Sequence, residues 1–149
     1  MLALMLKRDY ESQPTCGVAK TLEVVGERWT LLIVRDAFLG RRRFEEFQES
    51  LGIARNVLTD RLNRLVDEGI FERVRYSERP ERYEYRLTPK GRELNVALTA
   101  LRQWGERHAP GARRRVLRTR SDGRPVVAAL VPRGTPTLRP DEVELVFRP

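Results

Sequence analysis

Residues 43–69 read RFEEFQESLGIARNVLTDRLNRLVDEG, and the spacing of their apolar positions decides the fold. Phe44, Phe47 and Leu51 fall at i, i+3 and i+7, one face of a short amphipathic helix that Gly52 interrupts. Over residues 54–68, Leu58, Leu62, Leu65 and Val66 again share a face, and Gly69 supplies the left-handed position that ends the run. Two such helices joined by a turn of about three residues containing glycine make a helix-turn-helix. The second helix leaves Arg55, Asn56, Thr59, Asp60, Asn63 and Arg64 on its polar side, with Arg61 nearer the core boundary.

Toward the N-terminus, Val18, Leu22 and Val25 recur at helical spacing before Gly26. A second helix is expected over residues 29–39, with Trp29, Leu32, Ile33 and Ala37 inward and Gly40 as its stop. Toward the C-terminus the period changes. Residues 70–76 and 82–87 alternate apolar or aromatic with charged side chains, the pattern of two half-buried strands, and residues 77–81 form a charged loop between them. That hairpin is the candidate wing. Thr88-Pro89 then reads as an N-cap followed by proline at the first helical position. Leu94, Leu98, Leu101 and Trp104 line one side of the helix it opens, which is expected to end within residues 105–110. Beyond Gly111 the text is turn-rich. Apolar stretches at Val116-Leu117, 126–131 and 143–147, with the turn Ser121-Asp122-Gly123, predict a small β-rich tail.

The expected fold is therefore mainly α with a small β wing: a winged helix-turn-helix with a β-rich C-terminal tail. Its parts are an N-terminal arm over residues 1–14, the winged domain with flanking helices over 15–110, and an extension over 111–149. The apolar opening of residues 1–6 stops at Lys7-Arg8, too short for a signal-peptide core or a membrane span. A cytoplasmic protein with no membrane partner is expected.

At 149 residues and 40% hydrophobic content the chain fits one ordinary core. Its formal charge of +8 raises the prior for a polyanionic partner. The excess is uneven, however. Residues 1–105 hold 19 Lys/Arg against 16 Asp/Glu, and residues 106–149 hold 10 against 5. Lysine occurs only at Lys7, Lys20 and Lys90, so GC-rich codon usage explains part of the arginine count. Any nucleic-acid reading must rest on placed residues. One cysteine and one histidine, Cys16 and His108, exclude an intramolecular disulfide framework and a Cys/His zinc set. No Gly-rich phosphate loop and no nucleophile with a supporting base is present, so neither enzymatic activity nor a metal or cofactor is expected.

Several motifs in order carry a resemblance. Cys16, the run Val24-Val25-Gly26-Glu27-Arg28-Trp29-Thr30-Leu31-Leu32-Ile33, Arg43-Phe44, Ile53, Leu58, Arg61-Leu62, Leu65, Gly69 and Tyr83-Glu84-Tyr85-Arg86-Leu87-Thr88-Pro89-Lys90-Gly91 closely resemble the HxlR-type family of bacterial regulators, over about residues 15–105. The resemblance implies a dimeric winged-helix protein, related in architecture to MarR-type regulators. Such a protein controls nearby genes through double-stranded DNA and responds to a small-molecule effector or an oxidant.

The residue chemistry agrees with that expectation. Arginine forks to guanine and asparagine to adenine in the major groove, which singles out Arg55 and Asn56 for base contact. For Arg61 the alternatives are a phosphate contact and a structural ion pair. Arg79 and Arg82 on the wing are candidates for backbone or minor-groove contact, opposed by Glu78 and Glu81. Arg41, Arg42 and Arg43 are either phosphate anchors or a solvated turn. Cys16 is either a redox-sensing thiol, activated near a helix N-terminus, or a small residue buried in a dimer interface. Leu22, Leu94, Leu98, Leu101 and Trp104 are the expected homodimer contact, and twofold symmetry predicts a pseudo-palindromic operator with half-sites roughly 34 Å apart. The tail either covers the dimer or contacts phosphates through Arg113, Arg114 and Arg115. The competing function is a winged-helix module that docks RNA or protein without operator specificity.

Overall fold

The apolar faces read above assemble into four helices and a hairpin in the computed structural model, which describes residues 10–112 and 115–146. Helices α1 (Gly17–Val25), α2 (Thr30–Phe38), α3 (Phe44–Leu51) and α4 (Arg55–Asp67) are followed by strands β1 (Phe71–Glu78) and β2 (Glu81–Leu87). Ile33, Val34, Phe47, Leu58 and Leu62 are completely buried, with Leu65 and Phe71 at 1% exposure. Burial of each such side chain is worth about 1.5–3 kcal/mol, so α4 is held by Leu58, Leu62 and Leu65 against α3 and β1. The α3–α4 turn runs through Gly52 in the left-handed region, φ 60°, and pins itself with the buried Ile53. This is a winged helix-turn-helix.

Strands β1 and β2 pair antiparallel from Phe71↔Leu87 to Glu78↔Glu81, with an irregularity between Arg75 and Ser77. The connection before α3 joins them: Arg43 bridges Glu84, and the Tyr85 N–H donates to the Arg42 carbonyl at 2.7 Å. The Thr88 hydroxyl donates to the Gly69 carbonyl at 2.6 Å, tying the end of β2 to the end of α4.

A second compact unit begins at Pro89. It holds α5 (Pro89–Arg92), α6 (Leu94–His108), β3 (Val116–Thr119) and β4 (Val143–Val146), the last preceded by a 3-10 turn at Pro140–Glu142. β3 and β4 pair antiparallel.

Several details correct the reading of the sequence. Leu32, expected inward, is 40% exposed, and the inward positions of α2 belong to Thr30, Ile33, Val34 and Asp36. The wing loop expected over residues 77–81 shrinks to an Arg79-Pro80 tip, because Glu78 and Glu81 still pair. One helix expected after Thr88 is two, separated at Glu93. Residues 126–131 form no strand: only Pro125 bridges Arg118, and Val126 N–H donates to the Leu117 carbonyl, before the chain leaves the hairpin. The arm at residues 1–9, Arg113, Arg114 and Phe147 lie outside the described residues.

Candidate nucleic-acid interface

Because Leu58, Leu62 and Leu65 are buried, the opposite arc of α4 faces solvent. Arg55, Asn56, Thr59, Asp60 and Asn63 are all exposed there. At the start of the helix Ala54 is extended and offers no side-chain cap, which leaves the first-turn amides and the positive end of the helix dipole open to an anion. The Arg55 guanidinium lies over the Phe44 ring of α3, 4.7 Å from its centroid. Stacking of this kind restricts the side chain without neutralising it.

Arg61 and Arg64 belong to the same helix but turn the other way. Arg64 Nη2 donates to the Glu23 carbonyl of α1 at 2.6 Å and lies 3.9 Å from Glu68. Arg61 pairs with Glu27 and with Asp60, and its Nε donates to the Arg28 carbonyl at 3.4 Å. Their side chains are only 16% and 25% exposed, Arg61 and Arg64 respectively. Arg64 therefore clamps α4 to α1, and Arg61 clamps it to the α1–α2 connection. That connection is strained: Trp29, the N-cap of α2, has φ 78° and ψ −26°, a conformation costing a bulky residue about 1–3 kcal/mol. The carbonyls and carboxylate held by Arg61 and Arg64 flank it. Arg41 is likewise committed, 3.7 Å from Asp36, whose completely buried carboxylate also takes Arg35 at 2.6 Å.

Arg42 and Arg43 remain exposed. Their backbone N–H groups donate to the Glu46 carboxylate at 2.8 and 2.9 Å, which holds its pKa below the ordinary value. The Arg43 guanidinium stacks on Tyr76 of β1 at 4.7 Å. On the wing, the carboxylates that would oppose a polyanion are occupied. Arg75 lies 3.6 Å from both Glu78 and Glu81. The Tyr83 hydroxyl donates to Glu81, which raises the tyrosine's pKa, and Arg73 stacks on the Tyr83 ring at 3.7 Å. Arg79 and Arg82 at the tip form no ion pair with any described residue, and neither do Arg42, Arg43 or Arg55.

The arginines without carboxylate partners among the described residues thus occur at three places. Arg55 rests on Phe44; the neighbouring Arg43 rests on Tyr76, toward the tip end of β1; Arg79 and Arg82 stand at the tip itself. Sequence reasoning missed the aromatic platforms Phe44, Tyr76 and Tyr83. For Tyr76 and Tyr83 the available signal was aromatic residues interspersed with arginines along the two strands.

Elsewhere, Cys16 is half-buried at the N-cap of α1. Leu22 of α1 is 40% exposed. On α6, Leu101 and Trp104 are 54% and 60% exposed, while Leu94 and Leu98 are half-buried. Among the described residues no group of His, Cys, Asp and Glu is placed to hold a metal, and no helix is long and apolar enough to cross a membrane.

Residues 24–113 match the family model described as HxlR-like helix-turn-helix. Over 94 residues the chain is 55% identical to Rv3095 of Mycobacterium tuberculosis, an uncharacterised HTH-type transcriptional regulator, an alignment covering 63% of this chain and 60% of the relative. The chain thus spans about three fifths of the length of that curated relative. Among solved structures, PA1607, described as a candidate transcription factor, is 47% identical with a TM-score of 0.71, covering 83% of this chain and 88% of that one. The redox regulator HypR in its reduced form is 33% identical with a TM-score of 0.59, covering 62% of this chain and 92% of that one.

Proposed function

The chain belongs to the HxlR-like helix-turn-helix family, and on that premise we propose that it is a cytoplasmic transcriptional regulator that binds a pseudo-palindromic operator as a homodimer. The observation that carries the reading is the set of guanidinium groups, from Arg55 and Arg43 to the wing tip, that pair with no carboxylate among the described residues. A surface that neutralised its own arginines would have nothing to offer a phosphate backbone.

In this reading α4 enters the major groove. Arg55 and Asn56, at its uncapped start, meet guanine and adenine edges, and Thr59, Asp60 and Asn63 lie along the same exposed arc. Stacking on Phe44 limits the rotamers of Arg55 before DNA arrives and so lowers the entropy lost on binding. Arg42 and Arg43 hold phosphates on one flank, and Arg79 and Arg82 hold the backbone or enter the minor groove on the other. Four such contacts per protomer, doubled in the dimer, predict a slope of log K against log salt near about −7.

The dimer contact is assigned to apolar residues that the single chain leaves exposed or half-exposed: Leu22 on α1, and Leu94, Leu98, Leu101 and Trp104 on α6. A signal, whether oxidation of Cys16 or a small molecule, would act through α1. The Arg64–Glu23 and Arg61–Glu27 contacts join that region to α4, and the likeness to HypR, named a redox regulator, supports an oxidant.

The test is fluorescence anisotropy at fixed physiological salt, with duplex DNA from upstream of the protein's own gene against a scrambled duplex, for wild type and Asn56→Ala. Preference for the native duplex by about a thousandfold, reduced in the variant, supports operator reading through α4. Equal, weak, salt-sensitive affinity for both duplexes, with no site recovered by genome-wide binding, would favour RNA or protein docking instead.

A further inference from the structure

The C-terminal unit does not close a core of its own. Among its described residues only Leu117 and Val143 are buried hydrophobics, at 9% and 8% exposure. A unit of some sixty residues with so little buried apolar surface cannot offset the entropy of ordering its chain. Its large apolar side chains are at the surface. On α6, Val96, Leu101 and Trp104 are 64%, 54% and 60% exposed and fall on one arc of the helix, with the exposed Ala97 and Ala100 between them.

The segment after the hairpin has the same character. From Pro125 to Pro132 the sequence is PVVAALVP, eight residues without a charge, inside a unit whose residues 89–149 hold 13 Lys/Arg and 6 Asp/Glu. Val127, Leu130 and Val131 in this run are 70%, 104% and 50% exposed. The run is not loose. Its start is held by the Val126 N–H donating to the Leu117 carbonyl, and its middle by the Ala128 N–H donating to Oε1 of Gln103 on α6, at 3.2 Å. It is an apolar ridge tied to α6 at Ala128.

We propose that this ridge is a clasp for a second copy of the chain: residues 125–132 of one protomer pack on the α6 face of its partner, and reciprocally. Two observations favour this occupant. The ridge and the α6 arc are both neutral, so two copies meet there without opposing their arginines, whereas an acidic partner would be drawn to the arginines and away from the ridge. The six exposed side chains together offer an area on the order of the ~800 Å² per partner of a standard interface. Exchanged reciprocally about a twofold, the ridge and the α6 arc would make an isologous contact that closes at two copies. The likeness to PA1607 covers 83% of this chain, against 62% for HypR, and so takes in at least part of the extension. The inference deepens the homodimer reading and rests on it.

The test uses the full chain. Sedimentation equilibrium over a concentration series would give the dimer dissociation constant of wild type and of Val127→Asp/Leu130→Asp. Anisotropy on a single half-site would be run beside it. The expected result is a dissociation constant raised at least a hundredfold, with the circular dichroism spectrum and half-site affinity unchanged. A wild-type dimer whose constant moves less than threefold in the variant overturns the clasp and leaves the homodimer standing. A wild type monomeric throughout removes the homodimer and the clasp with it. Should the double variant lose its folded spectrum, co-expression of differently tagged Leu130→Cys and Trp104→Cys chains, each in a Cys16→Ser background, decides. A disulfide joining the two tags on mild oxidation supports the clasp, and its absence overturns it.

Discussion

Replacing Arg64 with methionine separates an arginine that holds α4 in place from one that touches DNA. Arg64 Nη2 donates to the Glu23 carbonyl at 2.6 Å across 41 residues of sequence, from a side chain 25% exposed. A hydrogen bond from a charged donor is worth about 1.5–3 kcal/mol, and partial exposure places this one at the low end. The Glu68 pair, at 3.9 Å along the helix, adds no more than a few tenths. Methionine keeps most of the aliphatic packing, and it removes a buried Nε that has no hydrogen-bond partner, which returns part of the loss. The net cost is then about 1–2 kcal/mol, or roughly 3–6 °C in Tm for a chain of this size. Thermal melting by far-UV circular dichroism measures it. Operator affinity should fall by a similar factor at every salt concentration, leaving the slope of log K against log salt unaltered, whereas Arg42→Ala should reduce that slope by about two in the dimer. If Arg64→Met leaves Tm within a degree of wild type and lowers the salt slope like Arg42→Ala, Arg64 meets phosphate and the anchoring argument is wrong.

Gly26→Ala should destabilise by about 1–3 kcal/mol, since a Cβ there would stand too close to the Leu22 carbonyl, a backbone atom that cannot swing aside; urea unfolding measures it, and an unchanged midpoint would show that the α1–α2 turn relaxes freely. Glu46→Gln tests the carboxylate that accepts the Arg42 and Arg43 N–H groups. Its folded pKa is lowered, so its contribution is present above the ordinary carboxylate value and lost as pH falls through the folded one. The stability gap between wild type and variant should accordingly be open at pH 7 and narrow as the pH falls below the ordinary carboxylate range, and a gap that widens in acid would contradict the assignment. The double variant Arg79→Ala/Arg82→Ala should keep its Tm while the salt slope drops by about three to four in the dimer; an unchanged slope would remove the wing from the interface.

The helix-turn-helix was legible because its two helices each carry one unambiguous apolar stripe. Leu58, Leu62 and Leu65 repeat at turns of the helix, and all three are buried. In α2 the apolar residues Leu31, Leu32, Ile33 and Val34 are consecutive, so periodicity does not choose a face, and Leu32 was assigned the wrong way. Asp36 escaped notice altogether. A charged residue completely buried is intelligible only with its ion-pair partners, and Arg41 reaches it from beyond the end of the helix. The wing tip looked like a five-residue loop because charge and proline mark turns, yet strand pairing at Glu78↔Glu81 depends on the partner strand and not on polarity. Residues 126–131 read as a strand from their β-branched content, but a strand exists only where another backbone is beside it.

The direction of each arginine is the part of the interface that no spacing rule supplies. Arg55, Arg61 and Arg64 lie on one helix within three turns, and a helical wheel treats them as variations on one polar face. What separates them is the set of acceptors within reach. Carbonyls and carboxylates at the end of α1 and in the α1–α2 connection claim Arg61 and Arg64, and Asp36 claims Arg41, whereas Arg55 and Arg43 find only aromatic rings, which hold a guanidinium in place and leave its charge unspent. The same division operates on the wing, where Arg75 and Tyr83 absorb the two glutamates and Arg79 and Arg82 stay uncompensated. A net charge of +8 therefore says little about where a polyanion would bind. The surface proposed for DNA is the one whose positive charges no described carboxylate neutralises, at the start of α4, the approach to α3 and the tip of the hairpin.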